Sequence, residues 1–142
     1  MKAAEEEFRK TLEAEPDLVG AMANLGSLYL QQGRPDDAVS VLREAIGKDP
    51  RNPESRTNLI VALGMKHDVE AARQVVTEAE GLGLRASMVY NALAYALHLN
   101  GRDQEALETL RQSLRIDPRQ TEALRLQSEI EAGRPASGVP YP

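Results

Sequence analysis

Two histidines, His67 and His98, are the chain's only imidazoles. They are too few and too widely separated to make a local metal pair. His67 reads as a turn residue and His98 as a groove-edge or surface residue. The carboxylate runs Glu5-Glu6-Glu7 and Asp36-Asp37 stand at helix starts, where negative charge is electrostatically favoured. They read as solvent-facing caps before they read as catalytic acids. Ser27, Ser40 and Ser113 have no base at a useful spacing. The glycines are dispersed at turns with no strand ahead of them, so no phosphate-cradling loop is written. With no cysteine there is no thiolate nucleophile, disulfide or cysteine-ligated zinc. The expectation is a protein that is not an enzyme and holds no catalytic residue, cofactor or metal.

Side chains suited to recognition are present. Asn24 and Asn58 share one register position, and an amide that both donates and accepts can hold an extended peptide backbone. Asn91 lies one residue out of that register, so no clean three-rung ladder is written. The alternative is that these are solvent-facing or locally bonded helix residues.

The elements that would position such groups come from a repeat. Asp49-Pro50 and Asp117-Pro118 are 68 residues apart, as are Gly33-Arg34 and Gly101-Arg102. At half that spacing, 34 residues, Leu25, Leu59 and Leu93 form one column, and Ala38, Ala72 and Ala106 another. Leu42, Val76 and Leu110 make a third, and Ala45, Ala79 and Ser113 a fourth. Within each unit the apolar residues recur at helical spacing in two stretches, such as Met22, Leu25 and Tyr29, then Ala38, Leu42 and Ala45. Gly33 and Gly101 separate the stretches, His67 replaces the glycine in the middle unit, and Asp68 and Asp103 stand where helix caps are needed. Pro50 and Pro118 stop the second helices, whereas Gly81-Leu82-Gly83-Leu84 makes a looser connection.

The expected organisation is one domain over 1–132: a half-repeat at 2–14, repeats at 19–52, 53–86 and 87–120, and a C-terminal capping helix at 119–132. Gln127, Ser128 and Glu131 give that cap a polar outer face. A flexible tail is expected at 133–142, where Pro and Gly preclude further helix. The solitary helix at 2–14 presents an apolar flank that another copy, or upstream sequence, would cover.

Composition agrees with layered helices. The chain has 142 residues, 42% of them apolar, but only one Phe, four Tyr and no Trp, so Leu, Ala, Val and Ile must fill a thin core. A net charge of −5 argues against nucleic acid, which demands concentrated positive charge. No stretch approaches the roughly 20 apolar residues of a membrane span. The acidic opening has no apolar leader, so a cytoplasmic site is expected, although many periplasmic domains also lack cysteine and a piece of a secreted or membrane-anchored protein would read the same.

A 34-residue helix pair whose columns read Leu25-Gly26, Tyr29, Gly33, Ala38, Leu42, Ala45 and Pro50 resembles the tetratricopeptide repeat. The middle unit departs at Arg56, Ile60, His67 and Leu84. The resemblance implies an all-α, right-handed superhelical α-solenoid of antiparallel helix pairs, with first helices lining a concave face that binds a peptide, a helix or a folded partner. On that face it places Asn24, Ser27, Leu30, Gln31, Thr57, Asn58, Val61, Met65, Asn91, Tyr95, His98, Leu99 and Arg125. The basic positions of a carboxylate clamp hold Ala23, Glu54, Met88 and Ala92 instead. The groove is therefore mixed, and Leu30, Val61, Met65, Tyr95 and Leu99 either accept an amphipathic helix or pack between helices. Tyr29 is expected to be a core spacer. The functional expectation is a protein-binding module, with a self-assembling structural module or scaffold subunit as its alternative. In that alternative, the N-terminal helix mediates homo-oligomer formation.

Overall fold

The structure, a computed structural model, describes residues 2–15 and 18–136. Those residues form eight helices and no strand: α1 (Lys2–Ala14), α2 (Val19–Gln31), α3 (Pro35–Lys48), α4 (Pro53–Met65), α5 (Val69–Gly81), α6 (Ser87–Leu99), α7 (Asp103–Ile116) and α8 (Thr121–Glu131). Adjacent helices pair antiparallel, and α2, α4 and α6 also pack on one another as an inner layer. The result is an all-α solenoid. Pro16, Asp17 and the end of the expected tail, 137–142, lie outside the described residues.

The turns after α2, α4, α5 and α6 are each set by one left-handed residue. Gly33 has φ +70°, which lets the Arg34 N–H reach back to the Tyr29 carbonyl at 2.8 Å and close the helix end. Gly101 repeats the device, with the Arg102 N–H on the Leu97 carbonyl at 2.8 Å. In the middle unit His67 adopts φ 61°, a conformation that costs a side-chain-bearing residue about 1–2 kcal/mol. The Asn100 Oδ1 meets its Nδ1 at 2.8 Å, while the Asn100 amide donates to the Gly64 and Ala96 carbonyls at 3.1 and 2.7 Å. The next repeat thus holds the strained turn in place. The 81–84 connection is as regular as the others: Gly83 has φ +73° and the Leu84 N–H bonds the Ala79 carbonyl at 2.9 Å.

Helix starts follow the sequence with one exception. Pro35 and Pro53 occupy first helical positions, Asp68 accepts from the Ala71 N–H at 3.1 Å, and Asn52 accepts from the Ser55 N–H at 2.9 Å. Asp103 is the first residue of α7 and does not cap it. Its carboxylate is engaged by His98 instead.

Small residues set the thickness of the stack. Ala38, Ala72 and Ala106 are fully buried with Leu42 and Leu110. A Cβ at Gly26 would lie 2.5 Å from the Leu42 side chain, and one at Gly64 only 2.6 Å from the Cβ and 2.9 Å from the Cα of Ala96. The first contact lets α2 meet α3, and the second lets α4 meet α6 nearly backbone to backbone. Arg56 occupies the column of Met22 and Tyr90 and is buried with them. Its guanidinium donates to the Pro50 carbonyl at 2.9 Å and the Val75 carbonyl at 3.2 Å, with Glu78 at 3.6 Å. Those partners make burial of the cation tolerable.

Candidate docking surfaces

The close approach of α4 to α6 decides what the inner face can offer. Leu30, Val61 and Tyr95 are buried in the core and cannot touch a partner unless the helices separate. Asn91 is buried too. Its amide donates to Gln120 Oε1 at 2.5 Å and its carbonyl accepts from Ser113 Oγ at 2.5 Å. The Gln120 Nε2 in turn donates to Ser113 Oγ at 3.0 Å, which ties the start of α8 to α6 and α7. His98 is buried with Nδ1 2.7 Å from Asp103 Oδ1, and its Nε2 meets no partner.

The asparagines therefore do three different things. Asn58 donates to the Ala23 carbonyl at 3.2 Å across the α2–α4 seam, Asn91 belongs to the α6–α8 network, and Asn24 is exposed. Of the other candidates, Gln31 and Arg125 are exposed, and Ser27, Thr57, Met65 and Leu99 are half-buried. Thr57 donates to its own helix at the Pro53 carbonyl, 2.7 Å away. The sequence signal for this outcome was the run of small residues Ala62, Gly64, Ala92 and Ala96, which draws the inner helices together and submerges longer side chains beside it.

On the opposite layer, ion pairs join the second and third repeats. Arg73 pairs with Glu105, and Arg102 reaches Glu105 at 2.8 Å and Glu70 at 3.6 Å. Hydrogen bonding from Arg102, reinforced by the positive charges of Arg102 and Arg73, holds the Glu105 carboxyl below the usual range. A cleft of about 440 Å³ between α5, α6 and α7 is lined by Arg73, Thr77, Glu80, Tyr90 and Glu108 among others. The Tyr90 hydroxyl donates to Glu80 at 3.0 Å, and burial followed by this bond pushes its pKa up. These groups link helices to one another. Among the described residues no three His, Cys, Asp or Glu side chains are grouped to hold a metal, and no helix is long and apolar enough to cross a membrane.

Apolar surface remains at the two ends. α1 has no buried residue. It is held to the stack by half-buried Phe8 and Leu12, by Glu5 on Arg34 in the α2–α3 turn at 3.2 Å, and by Arg9 on the Tyr29 hydroxyl of α2 at 3.3 Å. At the other end α8 buries Ala123, Leu126 and Ile130. Ser128 and Glu131 are exposed and Gln127 half-buried, but exposed Leu124 and Ile116 interrupt this polar cap.

The sequence profile of the tetratricopeptide repeat matches residues 2–53 and 58–121, and a second profile of the same repeat matches 29–81. Among solved structures, a crystal structure of MamA superposes with TM-score 0.67 at 24% identity, covering 91% of this chain and 75% of that one. A second crystal structure of MamA gives TM-score 0.64 at 24% identity, with 91% and 70% covered. A structure described as MamA MSR-1 C2 gives 0.60 at 29% identity, with 81% and 66% covered. No curated protein matches the chain.

Proposed function

The chain belongs to the tetratricopeptide repeat family, whose fold generally mediates protein–protein contacts, and from that premise we propose that it is a non-catalytic scaffold subunit that assembles with copies of itself through the ends of its helix stack. One observation carries this reading. Leu30, Val61 and Tyr95 of the inner face are buried within the stack, whereas half-buried Phe8 and exposed Ile116 and Leu124 leave apolar surface at its two ends. Burying apolar area drives association, so the ends are where another subunit gains most. Light scattering across a concentration series tests it. Mass that grows with concentration supports the scaffold, and a constant monomer mass overturns self-assembly.

A second reading keeps a peptide on the inner face. It is favoured by exposed Asn24, Gln31 and Arg125 beside half-buried Met65 and Leu99, a strip with backbone-binding amides and two apolar footholds. Substituting Met65→Glu together with Leu99→Glu would abolish such peptide capture and leave the assembly size unchanged.

A further inference from the structure

The two ends of the stack are opposite halves of the same object. By its columns α1 is a second helix: Ala4, Phe8 and Thr11 stand where α3 has Ala38, Leu42 and Ala45. In α3, α5 and α7 the alanine of that column is completely buried by the first helix of its own repeat. In α1 Ala4 is exposed, and Phe8 and Thr11 are half-buried. By the same test α8 is a first helix. Met22, Arg56 and Tyr90 of its column are 3, 3 and 6% exposed, and Leu124 is 46% exposed. Leu124 lacks the cover that α5 gives Arg56 through Val75 and Glu78.

The sizes along the pairing line are complementary. Gly26 makes room for Leu42, whose side chain would have to shift for a Cβ at position 26, 2.5 Å away. In the same two columns Ile60 stands opposite the smaller Val76, and Ala94 opposite Leu110. The unpaired members are Ser128 on α8, small and exposed, and Phe8 on α1, the largest residue of its column. Ser113 in α7 donates to the Ser87 carbonyl at 3.2 Å, and the register sets Thr11 against Thr121 in the same relation. At the start of α8, exposed Glu122 is flanked by exposed Arg119 just before the helix and Arg125 within it, and these two cations fall at the end matching exposed Glu13 and Glu15 of α1. The described helices comprise four of each kind, so copies joined end to end leave none of them unpaired.

We infer that α8 of one copy and α1 of the next form a composite fourth repeat, so that the chain assembles head to tail with itself. This rests on the scaffold reading and names its partner and register. The contact is heterologous: different surfaces meet, and the assembly grows as a ring or an open filament according to whether the rotation between copies closes.

Two end-blocked variants of the full chain test it, each altered at a residue exposed in the folded protein: Ala4→Glu blocks α1 and Leu124→Glu blocks α8. Helix content should stay at the level of the unaltered chain. Each variant alone should raise the dissociation constant for self-association by at least about tenfold, since a charge must be buried against an apolar pair. Mixed in equal amounts, they should form a discrete two-copy species that grows no further, because the free α8 of one meets the free α1 of the other. An unaltered chain that stays monomeric removes both the inference and the scaffold reading. Growth that persists undiminished in both variants leaves the scaffold standing and overturns the composite repeat. Blocked variants that fail to pair when mixed overturn the head-to-tail geometry.

Discussion

The same substitution at two glycines should stabilise the chain at one and not at the other. Replacing glycine by alanine inside a helix gains about 0.5–1 kcal/mol, because the unfolded chain loses freedom. At Gly47 in α3 nothing lies within 4 Å of an added Cβ, so Gly47→Ala should gain that amount. At Gly64 the added Cβ would meet the Cβ of Ala96 at 2.6 Å and its Cα at 2.9 Å. The second atom is backbone, so no rotamer change relieves the clash and α4 must move away from α6. Overpacking of this kind costs about 1–3 kcal/mol. Set against the same propensity gain, Gly64→Ala should be neutral to about 2.5 kcal/mol destabilising, and Gly64→Val worse. Urea denaturation followed by circular dichroism measures all three. If Gly64→Ala were as stabilising as Gly47→Ala, close contact between the inner helices would not be what holds the stack, and the burial of Val61 and Tyr95 would need another cause.

Other outcomes follow from single residues. Arg56→Ala should cost about 3 kcal/mol, mainly through the cavity it leaves, whereas Arg56→Met fills most of that volume and should cost less, although the Pro50 and Val75 carbonyls lose their guanidinium donor in both; denaturation midpoints would show the difference. His67→Gly should stabilise by about 1 kcal/mol by removing left-handed strain, less the lost Asn100 contact; the thermal midpoint reads it. Glu105, held below the usual carboxylate range, contributes stability that is full above its unfolded pKa and is lost as pH falls through the lower folded value. Denaturation midpoints of the unaltered chain and Glu105→Gln should therefore differ at neutral pH and converge in acid.

The stack was legible in the sequence because its determinants are local. The columns led by Ala38 and Leu42 recur at fixed spacing, and Gly33, Pro35 and Asp68 mark turns and starts by their own conformational limits. Arg56 shows where such reading stops. Its column was recognised, but its burial depends on carbonyls at Pro50 and Val75 that sequence spacing does not bring together. Similarly, Asn58 and Asn91 are alike as residues, yet one bonds a neighbouring backbone and the other joins Ser113 and Gln120. Their roles follow from how far each helix is rotated and how closely the next approaches, which the small residues at 62, 64, 92 and 96 control. The apolar flank of α1 was readable from its missing mate. The exposed Leu124 was not, because Gln127, Ser128 and Glu131 beside it describe a polar cap.

The most direct test of the ends-as-interface claim is hydrogen exchange of the intact chain at low and high concentration. Protection should rise with concentration in 2–14 and 121–131 and stay constant in 57–65 and 91–99. A rise confined to 57–65 and 91–99, with the terminal helices unchanged, would contradict it and return the binding surface to the inner face.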